Sequence, residues 1–182
     1  MRFIFLMICL FAYGPLTGLQ LIVSPEDYTK KADDPPLVFL AGSAAYPWRQ
    51  EVIKKSGELA LTFIDPVNHA LHFHRQKERI RWEQKQIAQA DILFVWIPKG
   101  EPDKSFTLSM TSLFELGRFC EMRDKVLLVG IDPGHLRSEE ISGQLHFLRP
   151  DVYVHRSLET LTQTLEHYSC KPVETLLQEL QD

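Results

Sequence analysis

Two uninterrupted apolar runs, Ile92-Leu-Phe-Val-Trp-Ile97 and Val126-Leu-Leu-Val-Gly130, constrain the fold more than any other feature of the chain. Runs of this kind with no polar break read as strands buried inside a sheet. A polar loop and a helical pattern separate them, so the two strands run parallel and are joined by a crossover. The alternation continues on both sides. Residues 37–41, 59–64 and 152–154 read as further strands, and 19–23 can form a first one. Helical patterns begin at Pro47-Trp48 and cover 75–90, the stretch around Glu115, 138–148 and 158–167. Residues 170–182 add a last amphipathic segment with Leu176, Leu177 and Leu180. Strands alternating with helices predict an α/β fold, a doubly wound parallel sheet of about five strands with helices on both faces.

A chain of 182 residues is long enough to bury one sizeable core. Residues 19–182 read as one domain, preceded by an apolar segment over 1–18. In that segment Arg2 is followed by the apolar run 3–12, the charged and apolar regions of a secretory signal. The run is shorter than the roughly 20 residues a membrane-spanning helix needs. A mis-assigned start, or a short element packed on the domain, explains the segment equally well. The expected location is cytoplasmic, with export as the alternative if 1–18 acts as a signal. A formal charge of −4 and the absence of a basic stripe interleaved with aromatics exclude a nucleic-acid partner. The locally basic run Arg75, Lys77, Arg79, Arg81 is interrupted by Glu78 and Glu83 and reads as a solvated helix face. Cys9, Cys120 and Cys170 form neither metal spacing nor a disulfide framework.

The chemistry centres on Ser109-Met-Thr-Ser-Leu-Phe-Glu115-Leu-Gly-Arg118, a hydroxyl-rich loop running into a helix at the sheet's carboxyl edge, where ligands of such folds bind. Glu115 has two readings. Ser112-x-x-Glu115 has the spacing of a capping box, in which Glu115 only reaches back to its own backbone. Equally, a carboxylate in the first turn of a helix is held ionised by the helix dipole and is a candidate nucleophile. Gly117 would let that helix pack closely against the sheet or a ligand. Glu83 shares a helix face with Ile80 and Ile87. A carboxylate in an apolar stripe is costly, and desolvation raises its pKa toward that of a proton donor. Its structural alternative is a pair with Arg79 one turn away. Gly42-Ser43 follows a strand and allows a backbone turn, but GxGxxG and the Walker loop are both missing. Asp91 opens a strand and reads as a cap on the preceding turn. His69, His72 and His74 crowd one loop without a Cys or the HExxH arrangement, so no metal site is expected.

Taken in order, Val38-Phe-Leu-Ala-Gly42-Ser43 with Trp48, Asp65-Pro66, Ile80-Arg-Trp82-Glu83, Ala90-Asp91 with the strand to Pro98, Ser112-Leu-Phe-Glu115-Leu-Gly117, and Gln144 with Arg149-Pro150-Asp151 resemble the nucleoside 2-deoxyribosyltransferase-like family. The resemblance implies a flavodoxin-like sheet and a transferase or N-glycoside hydrolase acting on a nucleoside or nucleotide. It implies Glu115 as nucleophile and Glu83 as the carboxylate that helps protonate the base. Gly42, Ser43, Trp48, Asp91, Ser109 and Ser112 are the implied substrate-binding residues. Ser109 stands where typical members carry an Asp, six residues before the nucleophile. The implied protein needs no cofactor, has no stable membrane span and forms a homo-oligomer. A non-catalytic nucleotide-binding or sensor module on the same fold is the alternative.

Overall fold

The computed structural model describes residues 19–44, 47–67, 76–99 and 105–169, with backbone alone for 105–109. The apolar segment 1–18, the histidines at 69, 72 and 74, and the final amphipathic stretch 170–182 lie outside the described residues. Six strands form one sheet: β1 (Gln20–Val23), β2 (Leu37–Gly42), β3 (Thr62–Asp65), β4 (Ile92–Ile97), β5 (Val126–Ile131) and β6 (Val154–His155). Every pairing is parallel and the order is β1-β3-β2-β4-β5-β6. The sheet is therefore doubly wound as expected, with six strands rather than about five. The addition is β1, an outer strand beside β3.

Among the described residues four helices connect successive strands, α1 (Trp48–Lys55), α2 (Gln76–Gln89), α3 (Ser105–Phe119) and α4 (Ser138–Leu148), and α5 (Leu158–Ser169) follows β6. Successive side chains of a strand point to opposite faces, so each central strand feeds two cores. Leu37, Phe39 and Ala41 pack with Ile87 of α2, Leu116 and Phe119 of α3, and Ile141 and Leu145 of α4. Val38 and Leu40 pack on the other face with Trp48 and Val52 of α1 and Leu161 and Leu165 of α5. This is why the strands read as continuous apolar runs: β4 and β5 are buried at every position.

The chain winds left from β2 through α1 and right from β4 through α3. The point of reversal lies between β2 and β4, where Gly42 pairs with Trp96. Gly42 has φ 131°, and a Cβ there would lie 2.2 Å from the Trp96 carbonyl oxygen. Only glycine allows β2 to end in this turn so close to its neighbour. Ahead of β2, the segment 24–36 lies along α2. Trp82 Nε1 donates to the Glu26 carbonyl at 2.8 Å, Gln89 Nε2 to the Tyr28 carbonyl at 3.2 Å, and the Lys30 amide to Gln89 Oε1 at 2.9 Å.

The two glycines of the family motifs behave oppositely. Gly117 on α3 is exposed, and a Cβ added there would meet nothing within 4 Å, so the close packing expected of it is not found. Gly42→Ala should cost about 3 kcal/mol or more. Gly117→Ala should stabilise by up to about 1 kcal/mol through helix propensity. Urea denaturation of the two variants measures both.

Candidate active site

The turn that follows β2 is held from below by the first two residues of α1. Trp48 is buried, stacks on Phe94 with ring centroids 6.0 Å apart, and donates its indole N–H to the Ser43 carbonyl at 2.9 Å. Arg49 lies over the Trp48 ring at 4.3 Å. Its Nε donates to the Leu40 carbonyl at 3.0 Å, Nη1 to that of Ser43 at 2.9 Å and Nη2 to that of Gly42 at 2.7 Å. Asp65, at the end of β3, lies 3.5 Å from the same Nε. Burial pulls the Arg49 pKa down to about 10, against the upward pull of Asp65, Glu115 and Glu83. It remains a cation at neutral pH.

Glu83 of α2 and Glu115 of α3 both act electrostatically on Arg49, and Glu83 acts on Glu115. The Glu83 side chain is 15% exposed, with Arg79 Nε 3.7 Å from Oε1. Burial raises its pKa, and Arg79 and Arg49 pull the other way. Glu115 is raised further, to about 7, first by burial and then by the charge of Glu83, opposed by Arg49, Arg118 and Arg79. Both carboxyls are desolvated, and the charge of Glu83 adds to the rise at Glu115, so the protonation of one bears on the other.

Several expectations change. Helix α3 starts at Ser105, so Glu115 is nearly three turns inside it and Ser112 does not cap it. The capping box is therefore excluded, and so is the argument that the dipole keeps Glu115 ionised, because that field fades beyond the first turn. Its place on α3 and its desolvation determine its charge instead. The apolar contact of α2 runs through Trp82 and Ile87, whereas Ile80 is 42% exposed. Glu83 stands at the boundary, so it is half-covered without sitting in a continuous stripe. The pair with Arg79 is present as well, at the long distance given above.

Of the substrate-binding candidates, Gly42 and Ser43 form the turn, and Trp48 supports it from beneath. Ser112 is buried on α3 one turn before Glu115. Ser109 lies in α3, with its side chain outside the described atoms. Asp91 does not belong with them. It stands at the amino edge, where Oδ2 accepts the Leu37 amide at 2.7 Å and the carboxylate pairs with Lys30 at 2.5 Å. It fastens the start of β2 rather than capping the turn before it or lining the site. Arg149 and Asp151 pair with each other at 2.6 Å after α4. Among the described residues no cluster of three or more His, Cys, Asp or Glu is arranged to hold a metal ion, and no helix is long and apolar enough to cross a membrane.

Arg49 escaped the sequence reading. Its signal was present: Arg49 precedes Val52 by three and Ile53 by four, which puts a cation on the apolar stripe of α1.

A doubly wound sheet with a glycine turn and a buried arginine at its point of reversal, and two desolvated carboxyls that act on that arginine, defines an α/β protein of the flavodoxin-like kind. The family is narrower. Residues 35–134, more than half of the chain, match the family described as nucleoside 2-deoxyribosyltransferase like, and the protein belongs to it. No curated protein matches the chain.

The raised Glu115 pKa has a stability consequence. A carboxyl whose folded pKa lies above its unfolded value binds its proton more tightly in the native state. The native state therefore loses stability as pH rises from the unfolded pKa through about 7. Glu115→Gln removes that penalty. At pH 8 it should be more stable than wild type by about 2 kcal/mol, and near pH 4 the difference should close, as measured by denaturant midpoints.

Proposed function

We propose that the protein cleaves the N-glycosidic bond of a (deoxy)nucleoside or nucleotide and passes the sugar to a second base or to water through a covalent glycosyl–Glu115 intermediate. The observation that carries this reading is the convergence of Glu83 and Glu115, from separate helices, as a desolvated and electrostatically coupled pair beside the β2 turn. Family membership supports the same chemistry.

The reactive state has Glu115 ionised and a proton on Glu83, the reverse of the ligand-free order in which Glu115 is the more strongly raised, so bound substrate shifts the proton from Glu115 to Glu83. A Glu115 carboxylate oxygen attacks the anomeric carbon, and the carbon–nitrogen bond breaks with its electron pair on the base. Glu83 delivers its proton to that base as it leaves. The incoming base or water then attacks the same carbon, its proton passes to Glu83, and Glu115 is released. Two displacements retain configuration, as in glycosidases that use a carboxylate nucleophile. A 2-deoxy sugar suits the route because it lacks the electron-withdrawing hydroxyl next to the cationic centre. Arg79 and Arg118 both reach Glu115 electrostatically, which favours substrates carrying a phosphate, since guanidinium groups bind phosphate bidentately.

Exposed Phe114 on α3 and Phe147 on α4, at 76% and 85% exposure, support the homo-oligomer that the family resemblance implies.

Incubation with a panel of deoxynucleosides and their 5′-phosphates should give an intact-mass adduct of one sugar, mapping to Glu115. In Glu115→Gln the adduct should vanish and base release should fall at least about 1,000-fold, with ligand binding retained. For wild type, kcat/KM should climb as pH rises toward about 7, where Glu115 becomes ionised. Binding without base release from any member of the panel would favour a nucleotide-binding or sensor module instead.

A further inference from the structure

A pair of acids that must hold one proton and one charge needs something fixed to divide them. Arg79 and Arg118 also act on the pair, and Arg79 pulls on Glu83 more than Arg49 does, but both lie nearer the solvent. The Arg79 side chain is 43% exposed and therefore screened by water, and Arg118 donates to Gln84. Arg49 differs from both: its side chain is 5% exposed and bonded through Nε and both Nη atoms to the carbonyls of Leu40, Gly42 and Ser43. It cannot swing away without undoing the end of β2. A charge held there is screened less than one on an exposed side chain, because burial keeps it away from bulk solvent and salt.

We propose that Arg49 is the positioning residue of this site: bonded to the carbonyls of Leu40, Gly42 and Ser43 and set beside Asp65, it holds the Gly42–Ser43 turn and is the fixed, buried positive charge that Glu83 and Glu115 meet. Glu115 faces Glu83 and Arg79 from α2, Arg49 from α1, and Arg118 of its own helix. Glu83 faces Arg79 and Arg49. Asp65 competes for Arg49 from β3, so the share of positive charge left for the glutamates depends on it. One guanidinium thereby joins two tasks, shaping the backbone that meets the ligand and setting the acid–base state of the groups that act on it. The role in turnover rests on the glycosyl-transfer reading; the effect on the carboxyls does not.

Carboxyl 13C NMR of the ligand-free protein, labelled at Glu and assigned through Glu115→Gln, reads the two titrations directly. In Arg49→Met the Glu115 midpoint should move up by about one pH unit or more, the size expected for losing an adjacent opposite charge. Arg49→Lys keeps the charge without the fork. Its midpoint should stay close to wild type, while KM rises and the pH limb of kcat/KM stays in place. Asp65→Asn should move the midpoint down, because Arg49 then answers to one carboxylate fewer, and it tests the idea even if Arg49→Met fails to fold. An unshifted midpoint in folded Arg49→Met, or in Asp65→Asn, overturns the proposal. Shifted midpoints with no base released from any substrate would sink the glycosyl-transfer reading and leave the positioning role standing. Base release with unshifted midpoints would do the reverse.

Discussion

The contact between Gly42 and the Trp96 carbonyl decides where a ligand can meet this sheet. Two parallel strands whose chains depart in opposite directions leave a crevice between their ends. Here the crevice is shaped by a residue with no side chain and a left-handed backbone. Because β2 turns so sharply, its last carbonyls point back toward α1 instead of pairing onward. Those carbonyls need donors, since buried and unsatisfied they would each cost about 1–3 kcal/mol. Arg49 and Trp48 supply them. The arginine is thus first a consequence of the turn, and its charge comes with it.

That charge makes two buried carboxyls tolerable. Glu83 and Glu115 both lose water, and both are shifted upward for it. Without cations nearby the usual outcome is two neutral acids, each able to donate a proton and neither able to attack. Arg49, Arg79 and Arg118 pull the other way, toward the ionised form. The cost in stability falls on the site, as it does wherever function asks for desolvated charge.

Much of the fold was legible because its strands are buried on both faces and its helices are amphipathic. The α4 limits agree residue for residue with the pattern, and β4 could hardly be anything but a central strand. The misreading fell on α3. Ser105-Phe-Thr-Leu-Ser-Met-Thr-Ser112 is rich in residues that compete for backbone hydrogen bonds and so look like a loop. In the folded chain these residues continue a helix whose later turns are anchored by Leu116 and Phe119 in the core, and tertiary packing overrides weak propensity. One misplaced boundary carried Glu115 from a helix end to a helix middle and reversed the reason for its charge. Asp91 shows a different limit: a strand-opening acid can serve either edge of a sheet, and only the register with Leu37 tells which. Arg49 was hidden because its partners are carbonyls, which sequence does not advertise.

The strap of residues 24–36 lies almost wholly ahead of the stretch that defines the family, yet its bonds end on α2, at Trp82 and Gln89. Those residues flank Glu83 along the same helix. A change in the strap is therefore felt on the helix that carries Glu83, through Trp82 on one side of it and Gln89 on the other.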